Sequence, residues 1–535
     1  MKRRDVIKNL SALPLAGAVY PFESAFAEQN QKRPVTPAIN EYQKIGVEPF
    51  INCRGTLTIN GGSIEIPEVV EAKRINTPFF VQLDELAMGI GQRLADLTFA
   101  EWGLVATGCA AGMKHVTAAC VTGGNPERLV RIPDLTGFPK TEVIIPTRSR
   151  NNYDAAIRNI GVTIVNVDTA EEMEKAINSK TAMIYIMSNH HYDDAALPLD
   201  QIVRIAKPHN IPILVDAAAE ELSIRPNVYL QKGATIVAYS GGKAARGPQN
   251  TGLLLGQKDI LLSAWQASSP HHGPGRDNKV SKETAMAMVA AVETWVTRDH
   301  AAVEREWLTW FENIKKRLSV INGLTFTVTE PRGVNNRSAS FRVSWDYENI
   351  SITGTDISNE FYSTKPRIAL SGGGIDNNGM TNVSMGAKGM QPGDDKIVAD
   401  RLFEILSKKH EKKPPQGMEP AIPRISGRWD VDIDFYSSKG RHSFFIEQDG
   451  NSVKGSHKGE FTTRDMTGTV DGNKIRLSSN ERHQGFQMEH NIPFNFTGTA
   501  TNDTMEGEIA MGEYLAAKFT AKRYVQPQTT GGRGA

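Results

Sequence analysis

Between Val143 and Leu255 short apolar runs alternate with stretches of mixed polarity. The runs are Val143-Ile144-Ile145, Val162 to Val167, Ala182 to Ile186, Ile211 to Val215, Thr235 to Tyr239 and Gly252 to Leu255. They are rich in β-branched residues and largely apolar throughout, so they predict strands buried on both faces, as in a mostly parallel sheet covered by helices. Ala170 to Ile177 and Leu199 to Lys207 supply helical segments between them. A longer helical pattern from Lys282 to Leu318 predicts a helix that leaves this region for a smaller α/β region over Leu324 to Leu406. The pattern changes after Gly427. Polar and apolar residues alternate with period two, as in Arg428-Trp429-Asp430-Val431-Asp432-Ile433, and the turns Asp449-Gly450-Asn451 and Asp471-Gly472-Asn473 recur. Such alternation predicts antiparallel hairpins closing into a β-sandwich or barrel.

A chain of 535 residues has room for about three domains. The pattern divides it into a large α/β domain over 41–290, a small α/β domain over 291–407, a charged, proline-rich linker over 408–424, and the β domain over 425–525. A disordered tail is expected over 526–535. The first residues read as an address. Lys2-Arg3-Arg4 is a twin-arginine start, Leu10 to Val19 is modestly apolar, and Ala25-Phe26-Ala27 offers a cleavage site. Residues 1–27 are therefore expected to be a cleaved leader, followed by a linker over 28–40. The expected destination is the periplasm. The apolar stretch is too short for a stable membrane anchor. Lys plus Arg is 61 against 60 Asp plus Glu, so no basic excess marks a nucleic-acid partner. The three cysteines, Cys53, Cys109 and Cys120, have neither a disulfide pattern nor metal spacing, and no metal site is expected.

Two features of the α/β region carry chemistry. Ile213-Leu214-Val215-Asp216 is an apolar run ending in a carboxylate, and Tyr239-Ser240-Gly241-Gly242-Lys243 presents an amine directly after two glycines. Pyridoxal 5'-phosphate (PLP) needs both: a lysine to hold its aldehyde and move protons, and a carboxylate facing its ring nitrogen. Lys243 and Asp216 fill these roles, Ala218 is small where the ring would lie, and Ser240 offers a hydroxyl to the phosphate. The adjacent glycines are expected to let the backbone approach the cofactor. Thr107-Gly108-Cys109-Ala110-Ala111-Gly112 opens a helix with small residues, leaving N–H groups for an anion. Arg150 or Asn152, after a strand end, is a candidate to face ring or substrate. His190 is a further substrate candidate, with a satisfied loop histidine as the alternative.

Four stretches resemble the selenocysteine synthase-like family of fold-type I PLP enzymes. They are Tyr42 to Thr58, Val105 to Gly112, Asp216 with Ser240 to Gln249, and Gly275 to Glu283. The resemblance covers about Glu41 to Leu406. It implies PLP on Lys243, Asp216 at the pyridine nitrogen, and a homodimer or higher homo-oligomer whose sites are completed between subunits. Arg276 or Lys279 is then a candidate cross-subunit contact, and Arg367 a candidate carboxylate ligand from the small domain. The implied activity is a lyase or β-replacing transferase acting on an amino acid or amino sugar acid. A selenium transferase, aminotransferase or racemase are alternatives on the same fold. An exported binding protein without catalysis is the rival from another class.

Overall fold

The computed structural model describes residues 40–188, 197–331, 334–412, 417–480 and 492–525. The leader expected over 1–27, His190 and the tail over 526–535 lie outside the described residues. Contacts divide the chain into two units, Met1–Phe50 and Ile51–Ala535. In the first, a one-turn helix over Glu41–Lys44 is closed by a reciprocal cap between Asn40 and Gln43. The second carries the sheets described next.

The large sheet has seven strands: β1 (Trp102–Ala106), β2 (Glu142–Pro146), β3 (Thr163–Val167), β4 (Thr181–Met187), β5 (Ile213–Asp216), β6 (Ile236–Ser240) and β7 (Gly252–Gly256). Their order is β1-β7-β6-β5-β4-β2-β3. The pairs from β3 through β6 are parallel, whereas β7 runs antiparallel to both β6 and β1. Every residue of β1, β5 and β7 is buried, as their apolar sequences require. The reversal of β7 has a consequence for the site. Its first residue, Gly252, lies in register between Ala106 and Ser240, at the edge where the parallel strands end. Helix α1 (Gly108–Thr122) leaves that edge directly after β1.

The helical pattern over Lys282 to Leu318 forms two helices, not one. α2 (Lys282–Thr297) ends at Arg298, whose backbone is extended, and α3 (His300–Leu318) starts behind Asp299. The Asp299 side chain accepts from the Ala302 N–H at 2.9 Å, a helix cap within a sequence of otherwise unbroken helical character. α2 buries Met288 and Val292 against the large sheet. α3 buries Phe311, Ile314 and Leu318 in a second core. That core lies against an antiparallel sheet of β8 (Leu324–Thr329), β9 (Ser340–Asp346), β10 (Ser371–Gly372) and β11 (Met380–Gly386), ordered β10-β11-β9-β8.

The last region is a barrel rather than a sandwich. Eight antiparallel strands between Gly427 and Arg523 close on themselves, β12 (Gly427–Asp434) pairing with both its successor and the last strand. Trp429, Val431 and Ile433 point inward while Arg428, Asp430 and Asp432 point out. Closure removes the exposed edges on which sheets aggregate. Inside one end, His442 Nδ1 and His457 Nε2 are 2.7 Å apart, and His457 Nδ1 lies 2.8 Å from Ser479 Oγ. Among the described residues no helix is long and apolar enough to cross a membrane.

Candidate active site

Asp216 ends β5 in the middle of the sheet, at the carboxyl ends of the parallel strands, where ligands of α/β sheets bind. It is 4% exposed, and both of its oxygens are engaged. Oδ1 accepts from the Ala218 N–H at 3.0 Å and lies 3.5 Å from the Cys109 thiol; Oδ2 accepts from the Tyr185 hydroxyl at 3.0 Å. Tyr185 in turn receives the Asn151 amide at 3.1 Å. Burial pushes the Asp216 carboxyl above the ordinary carboxylate value, against the pull of these three donors and of the Lys243 ammonium. Burial likewise raises the Cys109 thiol well above its usual range, so the thiol keeps its proton and donates it toward Asp216. The thiol of Cys109 thus serves the carboxylate rather than the anion cradle.

Lys243 sits on a loop between β6 and β7 that folds back on itself. Gly241 N–H donates to the Thr251 carbonyl at 2.8 Å, and Gly247 N–H to the Gly241 carbonyl at 2.9 Å. A Cβ on Gly241 would come within 2.0 Å of Thr251 Oγ1, and one on Gly242 within 2.5 Å of Gln249 Cα. The loop's own close packing therefore requires these glycines. Held this way, half-buried Lys243 acts electrostatically on both Asp216 and Cys109.

Whether these residues fit PLP is decided at the start of α1. Gly108 has φ +75°, a conformation glycine adopts without strain, and a Cβ there would meet open space. Thr107 makes no side-chain cap, and its buried Oγ1 has no hydrogen-bond partner. A buried hydroxyl without a partner is costly unless a ligand completes it. It lies beside the first N–H groups of a 15-residue helix, which attract anions. A Cβ on Gly252 would come within 2.5 Å of the Gly108 backbone, and Ser240 faces Gly252 in register. An anion-receptive helix start, the Ser240 strand end and the Asp216–Lys243 pair therefore share one sheet edge. The arrangement fits the phosphate, ring and aldehyde of PLP.

Other candidates lie differently. Arg150, 3% exposed, is held by Asp154 at 2.6 Å and Asn166 at 2.9 Å. These bonds anchor its Nε and Nη1 within the fold. Asn152 is exposed in a 3-10 turn, and its neighbour Asn151 joins the Tyr185 network instead. Arg276 donates to Ser269 Oγ at 3.1 Å, and Lys279 is exposed. Gly275 before them is needed because a Cβ would strike the His115 ring at 2.3 Å. Arg367 stacks over Tyr362 at 5.1 Å in a short strand, Arg367–Ala369.

The sequence reading missed Tyr185 and Asn151, and also Glu220. Glu220 is buried, accepts from the Tyr229 hydroxyl at 2.6 and 2.8 Å, and is bonded by Ser188 Oγ. Burial raises its carboxyl, and the Asp216 charge adds to the effect. Replacing Tyr185 with Phe should weaken PLP binding by about 10-fold, the worth of one hydrogen bond to a charged group. The absorbance of bound cofactor should also become more sensitive to pH. Equilibrium titration at several pH values checks both; wild-type affinity and profile would show that Tyr185 is only a packing residue.

Residues 144–289 match the family model described as Aminotransferase class-V. The chain is 32% identical over 295 residues to a D-glucosaminate-6-phosphate ammonia lyase of Salmonella typhimurium, covering 53% of this chain and 77% of that protein. It is 30% identical over 297 residues to a 5'-C-glycyluridine monooxygenase-decarboxylase of a Streptomyces species, covering 53% of this chain and 72% of that protein. An L-seryl-tRNA(Sec) selenium transferase of Proteus mirabilis is 24% identical over 289 residues, covering 47% of this chain and 58% of the transferase. A solved D-glucosaminate-6-phosphate ammonia-lyase superposes with a TM-score of 0.60 at 27% identity, covering 69% of this chain and 98% of that structure.

Proposed function

We propose, from the premise that this chain belongs to the selenocysteine synthase-like family of fold-type I PLP enzymes, that it is a lyase or β-replacing transferase acting on an amino acid or amino sugar acid. When bound, PLP supplies an electron sink that withdraws charge from the α-carbon of an amino substrate. The residues of this chain do the rest. Thr107, Ser240 and the first N–H groups of α1 hold the phosphate. Asp216 keeps a proton on the pyridine nitrogen, and Tyr185, Cys109 and the Ala218 N–H hold the carboxylate in place for that task. Lys243 binds the aldehyde and then moves a proton at the substrate α-carbon. In the lyase branch the substrate loses that proton and a β-hydroxide as water, then takes up water and releases ammonia as a keto acid forms. In the replacing branch a nucleophile takes the place of the β-substituent.

The observation that carries this reading is the buried, triply donated Asp216 within the field of Lys243, on the same sheet edge as an unpartnered hydroxyl at a helix start. Purified protein made with ample PLP should be yellow, and amino acids or amino sugar acids should be screened for shifts of its visible band and for ammonia release. Colourless protein under those conditions would favour the binding-protein rival.

The reading extends to assembly and location. The segment after the helix Pro67–Asn76 exposes Phe79 and Phe80, at 64% and 100%, the kind of apolar surface that subunit contacts cover. We expect a homodimer or larger homo-oligomer, with Arg276 or Lys279 reaching a neighbour's site. Sedimentation should give a mass of at least two chains; a single-chain mass at micromolar concentration would contradict it. The twin-arginine start at Arg3-Arg4 supports export of a folded, cofactor-loaded protein to the periplasm.

A further inference from the structure

The eight barrel strands pair in sequence order, so the turns between them fall alternately at its two ends. One end follows the usual chemistry of turns. Its connections are Asp449-Gly450-Asn451, Asp471-Gly472-Asn473 and Thr501-Asn502-Asp503, and the segment entering the barrel is bonded to them. Glu419 N–H donates to Asp471 Oδ1 at 2.6 Å, Ile422 N–H to the Gly472 carbonyl at 2.8 Å, and Arg424 N–H to Asn502 Oδ1 at 2.9 Å.

The far end differs. Tyr436 lies in the turn over 435–438 and Phe461 in the turn over 459–462, at 79% and 93% exposed. A backbone bond closes each turn, from Phe435 N–H to the Ser438 carbonyl at 2.9 Å and from Gly459 N–H to the Thr462 carbonyl at 2.8 Å. Tyr514 and Leu515, also exposed, begin the last barrel strand. Asp434, the end of β12, pairs with Lys518, so Tyr514 and Leu515 run past that neighbour. The same pairing makes the three apolar sites consecutive around the rim. The fourth connection at this end, over 481–491, lies outside the described residues. Between Gly427 and Arg523, four of the five large apolar side chains that the described residues expose lie here; the fifth, Phe445, is on the wall beside Arg428. Scattered apolar side chains are ordinary on a surface, but a cluster at one end marks a contact.

Three observations choose the partner. The lumen is already filled: Trp429, Phe444, Phe496 and Phe519 are fully buried, and His457 packs edge-on against Phe444 and Phe496 at 5.3 and 5.4 Å. An apolar ligand has no chamber to enter there. The barrel is closed, so it offers no strand edge to a peptide. Charges around these turns nearly cancel, Lys439 and Lys458 against Asp434, Glu460 and Glu513, with Lys439 and Asp434 paired at 3.1 Å. The attraction left is that of apolar tips on projecting turns. Phe and Leu beside two Tyr hydroxyls suit the boundary between lipid tails and headgroups, where a tyrosine ring and its polar tip are both satisfied.

We infer that this end of the barrel docks on the surface of a phospholipid bilayer, inserting Tyr436, Phe461, Tyr514 and Leu515 without spanning it. The C-terminal domain is then an attachment module for which neutral lipid suffices. The attachment is independent of the reaction proposed for Lys243.

The test sediments full-length, PLP-loaded protein with neutral phosphatidylcholine vesicles at low and at high salt. Saturable binding that high salt leaves intact is expected, because salt screens charges and not apolar insertion. Phe461→Ser should weaken it about 10-fold, and Phe461→Ser with Leu515→Ser about 100-fold, the worth of one and two apolar side chains withdrawn from water. Both positions are exposed, so the variants should melt as wild type does. Phe445→Ser, on the barrel wall, should bind vesicles as wild type does. No binding by wild type, or equal loss in Phe445→Ser and Phe461→Ser, would overturn the inference. If Phe461→Ser instead dissociates copies of the protein from one another, this end is a contact between chains and not a lipid site.

Discussion

Lys243→Ala should abolish the hydride-reducible bond between protein and cofactor and lower turnover on the order of 10⁴-fold or more. The loss is that large because one amine both binds the aldehyde and moves the α-proton, and proton transfer alone contributes up to about 10⁴. The variant should still fold. Lys243 is half-buried, and its loop is closed by Gly241, Gly247 and Thr251 backbone bonds that the side chain does not make. It should also still bind PLP, because Thr107, α1 and Asp216 are untouched, though reversibly. Absorbance after borohydride treatment and gel filtration checks this. Cofactor retained covalently by Lys243→Ala would mean that another lysine is the anchor.

Asp216→Asn should cost about 10²–10³ in turnover, the usual price of losing one charged partner at a reacting centre, and it should do the opposite to the empty protein. The sign follows from burial. The Asp216 carboxyl is raised in the folded state, so its contribution to stability is present below the unfolded carboxylate value and is lost as pH rises through the folded value. Above that, empty wild-type protein holds a buried charge that only neutral donors and Lys243 offset. The amide removes that charge. Cofactor-free Asp216→Asn should therefore melt at or above wild type at neutral pH, with the difference vanishing toward low pH. With PLP the order should reverse, because only the carboxylate pairs with a charged ring nitrogen. Melting curves with and without cofactor across pH test it. A variant less stable than wild type in the empty state at neutral pH would mean that Asp216 is a structural carboxylate.

Much of this site is legible from local pattern. An acidic residue closing an apolar strand and a lysine directly after two glycines stand out because each breaks the polarity around it. The same contrast hides the supporting residues. Tyr185 lies within the apolar run from Ala182 to Ile186 and reads as core; only the fold brings its hydroxyl to Asp216. Glu220 reads as a surface charge after Ala219, yet Tyr229 and Ser188 enclose it. Arg150 carries two local signals, its place after a strand and its partner Asp154 four residues on, and the fold realises the second. Strand direction is equally hidden, since β7 is buried on both faces like its parallel neighbours. The break between α2 and α3 was missed, because Asp299, which caps α3, lies inside an otherwise helical run.

The central claim is a covalent one, and mass spectrometry addresses it most directly. Wild-type protein made with PLP, reduced with borohydride and digested, should carry the phosphopyridoxyl group on the peptide containing Ser240-Gly241-Gly242-Lys243, and on no other lysine. Finding the group elsewhere, or finding none on protein saturated with PLP, would contradict the account.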